Sequence, residues 1–183
     1  ALLGLGLLIC IGVVAFRVAG QMREDGDELS DAPSTGRFVA AEDVEIFLQE
    51  LGPADGPVLV FTHGAGAWSE AWRSAMEVLA KAGYRCVSLD VPPFGFSRRP
   101  NNADYSAVAQ ARRLGAALDT LKVKRFALVA HSIGSRPAME LALTNSERVS
   151  AVVLVSAALS LDQDPSAKPG AFASTLLNSR FLR

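Results

Sequence analysis

With 183 residues, 50% of them hydrophobic and 20% charged, the chain can bury one ordinary core and has room for little beyond one domain. A formal net charge of -1, with Lys and Arg scattered rather than clustered, offers no field to attract phosphates and excludes nucleic acid as an expected partner. Cys10 stands in an apolar N-terminus and Cys86 in what reads as a buried strand, so neither a disulfide framework nor a metal cluster is indicated.

Residues 1–16 carry no charge and end at Arg17. As a helix they would cover roughly 24 Å of a hydrocarbon core roughly 30 Å thick. A few more apolar residues would complete a span, and the chain opens on Ala1 rather than Met. Residues 1–20 are therefore expected to be a transmembrane signal anchor. A cleavable signal peptide is the main competitor, because Val18 and Gly20 place small residues before Gln21. A buried core helix is disfavoured by Gly4, Gly6 and Gly12. Arg17 and Arg23 are followed closely by Glu24, Asp25, Asp27 and Glu28, so the charge pattern assigns no orientation.

Residues 21–36 are polar, acidic and broken by Pro33 and glycines, as suits a solvated linker, and a folded domain is expected over 37–183. Residues 44–51 read as an early strand. Residues 57–62 (PVLVFT) form a short apolar run between turn residues, as a buried strand does. A helical stretch over 70–82 is closed by Gly83. Residues 84–89 (YRCVSL) are another buried strand, followed by a Pro and Gly loop. The Ala-rich stretch 105–121 predicts a helix with Leu114, Leu118 and Leu121 on one side. Residues 125–130 (RFALVA) predict a third buried strand, 133–144 a helix, and 149–155 (VSAVVLV) a fourth strand. Strands apolar on both faces, alternating with helices, imply a mostly parallel sheet covered by helices, the α/β class. A further amphipathic helix is expected over 172–182.

The stretch Ala130-His131-Ser132-Ile133-Gly134 lies where a buried strand turns abruptly into a helix. A serine on such a turn has its hydroxyl pushed out at the carboxyl edge of the sheet, where the helix N-terminus offers free amides. The usual pattern is G-x-S-x-G, so Ala130 replaces its first glycine. Taken alone, the serine could equally be an ordinary helix N-cap. His63-Gly64-Ala65-Gly66 ends an earlier strand, and a glycine-bearing loop there can supply the second amide of an oxyanion hole. The expected donors are the amides of Ala65 and Ile133, with Gly66 as the less favoured substitute for Ala65. Alone, this segment could be a turn that merely needs glycine.

Together these segments resemble the α/β-hydrolase superfamily, in particular its cap-bearing esterase and epoxide-hydrolase-like branch. The resemblance rests on His63-Gly64, on Asp90-Val91-Pro92-Pro93-Phe94-Gly95-Phe96-Ser97, and on the elbow followed by Asn145-Ser146-Glu147-Arg148-Val149. The stretch from Asp90 to Ser97 is similar to the family's D-x-P-G-x-G-x-S loop, with Pro93 in place of a glycine. The stretch from Asn145 to Val149 is similar to its P-E-R-V helix exit, with Ser146 in place of proline. They occur in family order and spacing over residues 37–158.

The resemblance implies nucleophilic acyl transfer: Ser132 attacks a carbonyl, a histidine takes its proton, an acid orients the histidine, and amides hold the oxyanion. A serine rather than an aspartate at the elbow favours esters, thioesters or other acyl groups over epoxides and haloalkanes. No metal or organic cofactor is implied. The only histidines are His63 and His131, and neither occupies the family's position for the base, after the last strand. His63 is expected to shape the oxyanion loop and the ring of His131 to point away from the hydroxyl. Asp162 or Asp164 could be the acid in a variant arrangement, against the plainer reading of solvated loop residues. Asp90 is expected to hold its loop together, and Trp68 and Trp72 either line an acyl pocket or pack.

Two explanations fit the missing base. In one, the sequence is an incomplete part of a membrane-anchored serine hydrolase, with base and acid downstream and residue 183 near the start of the cap. In the other, it is a noncatalytic subunit of a membrane assembly, its exposed sheet edge covered by partner subunits. A third, weaker possibility is a module that binds a small acyl ligand without turnover. The expected partners are a small ester substrate and the membrane, on a side the sequence leaves open.

Overall fold

The computed structural model describes residues 32–100 and 103–159. The expected transmembrane segment 1–20, most of the linker 21–36, Asp162, Asp164 and the helix expected over 172–182 lie outside the described residues. Among the described residues no helix is long and apolar enough to cross a membrane.

Six strands form one sheet in the order β1-β2-β4-β3-β5-β6. The strands are β1 (Gly36–Ala41), β2 (Val44–Leu51), β3 (Val58–Thr62), β4 (Arg85–Leu89), β5 (Phe126–His131) and β6 (Val149–Val155). β1 and β2 form an antiparallel hairpin closed by Glu42 and Asp43, with Glu42 at φ 59. β2 also runs antiparallel to β4, whereas β4, β3, β5 and β6 are mutually parallel. The sheet is thus mixed, with β2 its one reversed strand. β1 begins in what the sequence assigns to the linker, where Gly36 donates its N–H to the Pro33 carbonyl in a turn.

Helices α1 (Arg73–Lys81), α2 (Ala107–Thr120) and α3 (Ser135–Thr144) supply the crossovers. A single 3-10 turn, Ser69–Trp72, precedes α1, so the helix expected over 70–82 is split at Trp72. α2 starts where the Ser106 hydroxyl accepts the Ala109 amide, which satisfies one orphan donor of the first turn. It stops at Lys122, which takes φ 56 while the Val123 amide donates back to the Leu118 carbonyl.

The main core lies between the sheet and the pair α2 and α3. Ile46, Leu48, Val60, Val87, Leu114, Leu118, Leu128 and Leu141 are all essentially inaccessible there. A smaller cluster of Phe61, Met76 and Cys86 lies under α1 on the other face. β6 departs from its expected two-sided burial: it is the outer strand among the described residues, and Val153 is 50% exposed. Its only described sheet partner is β5, so its other edge has no described strand beside it.

A buried cation borders this core. Arg113 of α2 is 2% exposed, and its guanidinium fork donates to both carboxylate oxygens of Asp43 at 2.7 Å each. It also donates to the Asp104 carbonyl and to Gln110, and lies over the Tyr105 ring. Asp43 is held below the usual carboxylate range by that hydrogen bond. Asp43→Ala would leave the buried guanidinium short of its counter-charge. Because Asp43 itself is half exposed, the expected cost is about 2 kcal/mol, read as a lower urea midpoint at unchanged m value.

Candidate active site

The carboxyl ends of β3, β4 and β5 converge, and the loops leaving them carry every residue assigned a role near the elbow. In-register pairing of Thr62 with Leu89 and with Ala130 brings the three exits side by side. Parallel strands with covered faces leave this edge as the place where loop groups can meet.

Ser132 follows β5 directly and sits at φ 51, a left-handed conformation uncommon for a side chain that lacks an amide. His131 before it is extended, and Ser135 after it is already helical. This is the strand–turn–helix geometry of a nucleophile elbow. Gly134 explains the small residue two places on: a Cβ there would lie 2.4 Å from the His63 carbonyl oxygen and 3.0 Å from Thr62 Oγ1. The Thr62 hydroxyl donates to the Gly134 carbonyl at 3.1 Å, tying the β3 exit to the elbow.

Gly64 plays the same part from the other side, since a Cβ on it would meet His131 Nδ1 at 2.7 Å and Ser132 Cβ at 3.2 Å. The loop that begins at Gly64 is therefore backed directly against Ser132. Gly64 through Ala67 form a turn, with the Ala67 amide donating to the Gly64 carbonyl and Gly66 at φ +67. Ala65 is exposed at its tip, and Ile133 is 39% exposed at the start of the helical turn. Both expected donors thus belong to loops that flank Ser132.

His63 is 1% exposed and both ring nitrogens are occupied. Nε2 accepts the Val91 amide at 2.9 Å, so the proton must be on Nδ1, which donates to the Gly64 carbonyl at 2.8 Å. Burial drives its pKa down to about 4, against the opposing pull of the Gly64 carbonyl. A ring so engaged shapes the loop that follows it and has no nitrogen with which to take a proton from Ser132.

Asp90, fully buried at the end of β4, is a second knot. Its carboxylate accepts the Ser69 amide at 2.6 Å and the Phe96 amide at 2.8 Å. Its carbonyl accepts the Ser97 hydroxyl, and Ser97 Oγ in turn accepts the Phe47 amide. Burial pushes its pKa up to about 6 even though the two backbone amides favour the anion. Gly95 at φ +62 permits the wrap, because a Cβ there would lie 2.0 Å from an Asp90 carboxylate oxygen. The expectation that Asp90 holds its loop together matches this geometry.

Trp72 packs on Phe61 with ring centroids 5.3 Å apart and donates Nε1–H to the Thr62 carbonyl, which makes it a packing residue. Trp68 stands edge-on to Phe96 at 5.2 Å and fixes the loop that Asp90 organises. Neither lines the cavity of ≈ 360 Å³ beside the elbow. That cavity is walled by Val91, Phe94, Tyr105, Ile133, Arg136 and Pro137 among others. Sequence reasoning misses it because its walls come from separated segments, none carrying a pocket signature of its own.

The model of the alpha/beta hydrolase fold family matches residues 57–181. Among curated proteins the chain is similar to 2-hydroxymuconate semialdehyde hydrolase of Pseudomonas sp. (strain CF600), 33% identical over 132 residues. That match covers 70% of this chain and 45% of the relative. It is also similar to an epoxide hydrolase of Caballeronia sordidicola, 33% identical over 115 residues, covering 62% of this chain and 34% of the relative. Among solved structures, a membrane phospholipase A described as a bacterial virulence factor superposes with TM-score 0.65 at 29% identity. The match covers 86% of this chain and 51% of that one. The chain thus spans about half the length or less of these relatives.

Two outcomes are expected from this geometry. Gly134→Ala should destabilise the protein by about 2–3 kcal/mol, since the new methyl meets backbone that cannot swing aside; chemical denaturation measures it. The pH dependence follows from His63 and Asp90 together. His63, lowered from 6.5, contributes stability that is present above its unfolded pKa and lost as pH falls toward 4. Asp90, raised from 3.8, contributes stability that is present at low pH and lost as pH rises through about 6. The two slopes oppose each other between these values. Asp90→Asn should unmask the histidine slope, so that the variant loses about 2 kcal/mol more than the wild type between about pH 7 and pH 4.5 in urea titrations.

Proposed function

The chain belongs to the alpha/beta hydrolase fold family, and we propose that it is a serine hydrolase acting on an ester-like acyl substrate. The observation that carries this reading is Ser132, held at φ 51 between β5 and a helical turn with Gly64 packed against it. A strained, side-chain-bearing residue at the meeting point of three strand exits needs a reason, and presenting a nucleophile is one.

In the proposed reaction Ser132 Oγ loses its proton to a base and bonds to the substrate carbonyl carbon. The carbonyl oxygen takes the negative charge and is held by the amides of Ala65 and Ile133. The bond to the leaving oxygen then breaks, and the base returns the proton to that oxygen. Water repeats the sequence on the acyl-serine and releases the acid. The cavity beside Ile133 offers the acyl chain a largely apolar wall of Val91, Phe94 and Pro137.

His63 is not the proposed base, because both its nitrogens are spent on backbone groups. The base and acid are proposed to come from outside residues 32–159. Anchoring through the apolar segment 1–20 belongs to the same proposal, and a membrane phospholipase A among the similar structures makes a membrane ester a substrate to try first.

The test is covalent labelling of the full-length protein with a fluorophosphonate probe. Labelling should map to Ser132 and vanish in Ser132→Ala without loss of fold. Labelling that persists in that variant would refute the assignment.

A further inference from the structure

Every peptide unit has two ends, and a trans peptide points its C=O and N–H in opposite directions across one plane. The N–H of Ile133 therefore shares a rigid unit with the carbonyl of Ser132, and whatever holds that carbonyl aims the amide. Two donors converge on the Ser132 oxygen. One is the Ser135 amide, which belongs to the same helical turn and moves with it. The other is the Ala158 amide, at 3.1 Å, which comes from the exit of a different strand.

The route by which Ala158 arrives is specific. β5 and β6 are parallel and pair His131 with Val155. The next residue of each strand, Ser132 and Ser156, adopts the left-handed conformation, at φ 51 and φ 45. Two adjacent parallel strands thus make the same sharp exit in register. The turn at Ser156 brings the chain back across the elbow so that Ala158 meets Ser132. Neither serine has the conformational freedom of glycine, so the matched exits are held by their surroundings.

The other expected oxyanion donor is built on the same plan. The Ala65 amide shares its unit with the Gly64 carbonyl, and that oxygen is held by His63 Nδ1 at 2.8 Å and by the Ala67 amide at 3.3 Å. Each donor peptide is gripped at its carbonyl end by one neighbour from its own turn and one further group. Hydrogen bonding to a peptide oxygen also polarises the unit and strengthens its N–H as a donor.

We infer that the Ala158 backbone amide, on the exit of β6, is a positioning group for the oxyanion hole, fixing the Ser132–Ile133 peptide so that its N–H faces the developing charge. The inference rests on the serine hydrolase reading above. Ala158 touches neither substrate nor reacting atoms and acts through the peptide it holds.

The experiment removes one hydrogen. Ala158→Pro deletes the N–H in the full-length protein. A further variant replaces the Ala158 amide by an ester through incorporation of lactic acid, which keeps the side chain and deletes the same donor. Phosphonate labelling at Ser132 and kcat on a p-nitrophenyl ester should both fall about tenfold to a hundredfold, less than the loss of a direct oxyanion donor, with KM unchanged. Affinity for a trifluoromethyl ketone, which forms an oxyanion on binding, should weaken by the same factor as kcat/KM.

A merely structural role would lower thermal stability and disturb KM without that matched loss, and would overturn the inference. So would unchanged labelling and turnover in the ester variant, which decides the matter if Ala158→Pro fails to fold. A wild-type protein that is never labelled at Ser132 would instead refute the hydrolase reading itself, and the inference with it.

Discussion

The site depends on one imidazole held in one tautomer. His63 directly follows β3, accepts from the Val91 amide of the β4 exit and donates to the Gly64 carbonyl at the start of its own loop. Exchange of the proton between its nitrogens would set N–H against N–H and a lone pair against a carbonyl, so only one arrangement satisfies both neighbours. Burial keeps the ring neutral, because the imidazolium would be desolvated and would lose its acceptor role toward Val91. Gly64 is thereby seated against Ser132, and the His63 carbonyl forms the floor that forbids a side chain at Gly134.

Asp90 does for the outer shell what His63 does for the inner one. A carboxylate with no solvent exposure is costly, and it is tolerated here because its oxygens take the amides of Ser69 and Phe96. The Ser69 end of this knot continues outward: Ser69 Oγ accepts from the buried Gln49 side chain, which also donates to Glu70, and Arg73 completes the group. The β2 strand, the turn before α1 and the β4 loop are thus one polar network in which each of these buried groups has a partner. Such networks specify an arrangement more than they stabilise it, and this one fixes the loops around Ser132 relative to one another.

Much of this is legible in the sequence because the signals are local and strong. Runs such as PVLVFT and RFALVA are almost wholly apolar, so they read as buried strands, and their alternation with helices leaves few alternatives to a parallel sheet. Ser132 and the glycines around it stand out because a tight turn restricts residue type at known offsets. The β1 strand escapes notice because Gly36 and the neighbouring Pro33 mimic linker composition, and only pairing with β2 decides the matter. The split of the 70–82 helix at Trp72 follows from tertiary demands, since the Trp72 ring is drawn to Phe61 and the Thr62 carbonyl. The Asp90 loop is legible through its local D-x-P-x-x-G-x-S pattern, whereas the tautomer of His63 and the Ala158 contact are not, because each joins residues far apart in the chain, His63 with Val91 and Ser132 with Ala158.

That distance is also what makes the elbow possible. A non-glycine residue in the left-handed region costs on the order of 1–3 kcal/mol when nothing holds it there. Local support for Ser132 comes from the Ser135 amide, which donates to the Ser132 carbonyl within the same helical turn. Further compensation comes from groups remote in the chain: Thr62, 72 residues before Gly134, whose hydroxyl holds the Gly134 carbonyl, and Ala158, which reaches in from the next strand. The elbow is thus over-determined by its surroundings as well as by its own turn. Strain kept at one residue by contacts from two other strands is hard to account for as a packing accident, and it places the serine hydroxyl where strand exits, loop amides and an apolar cavity meet.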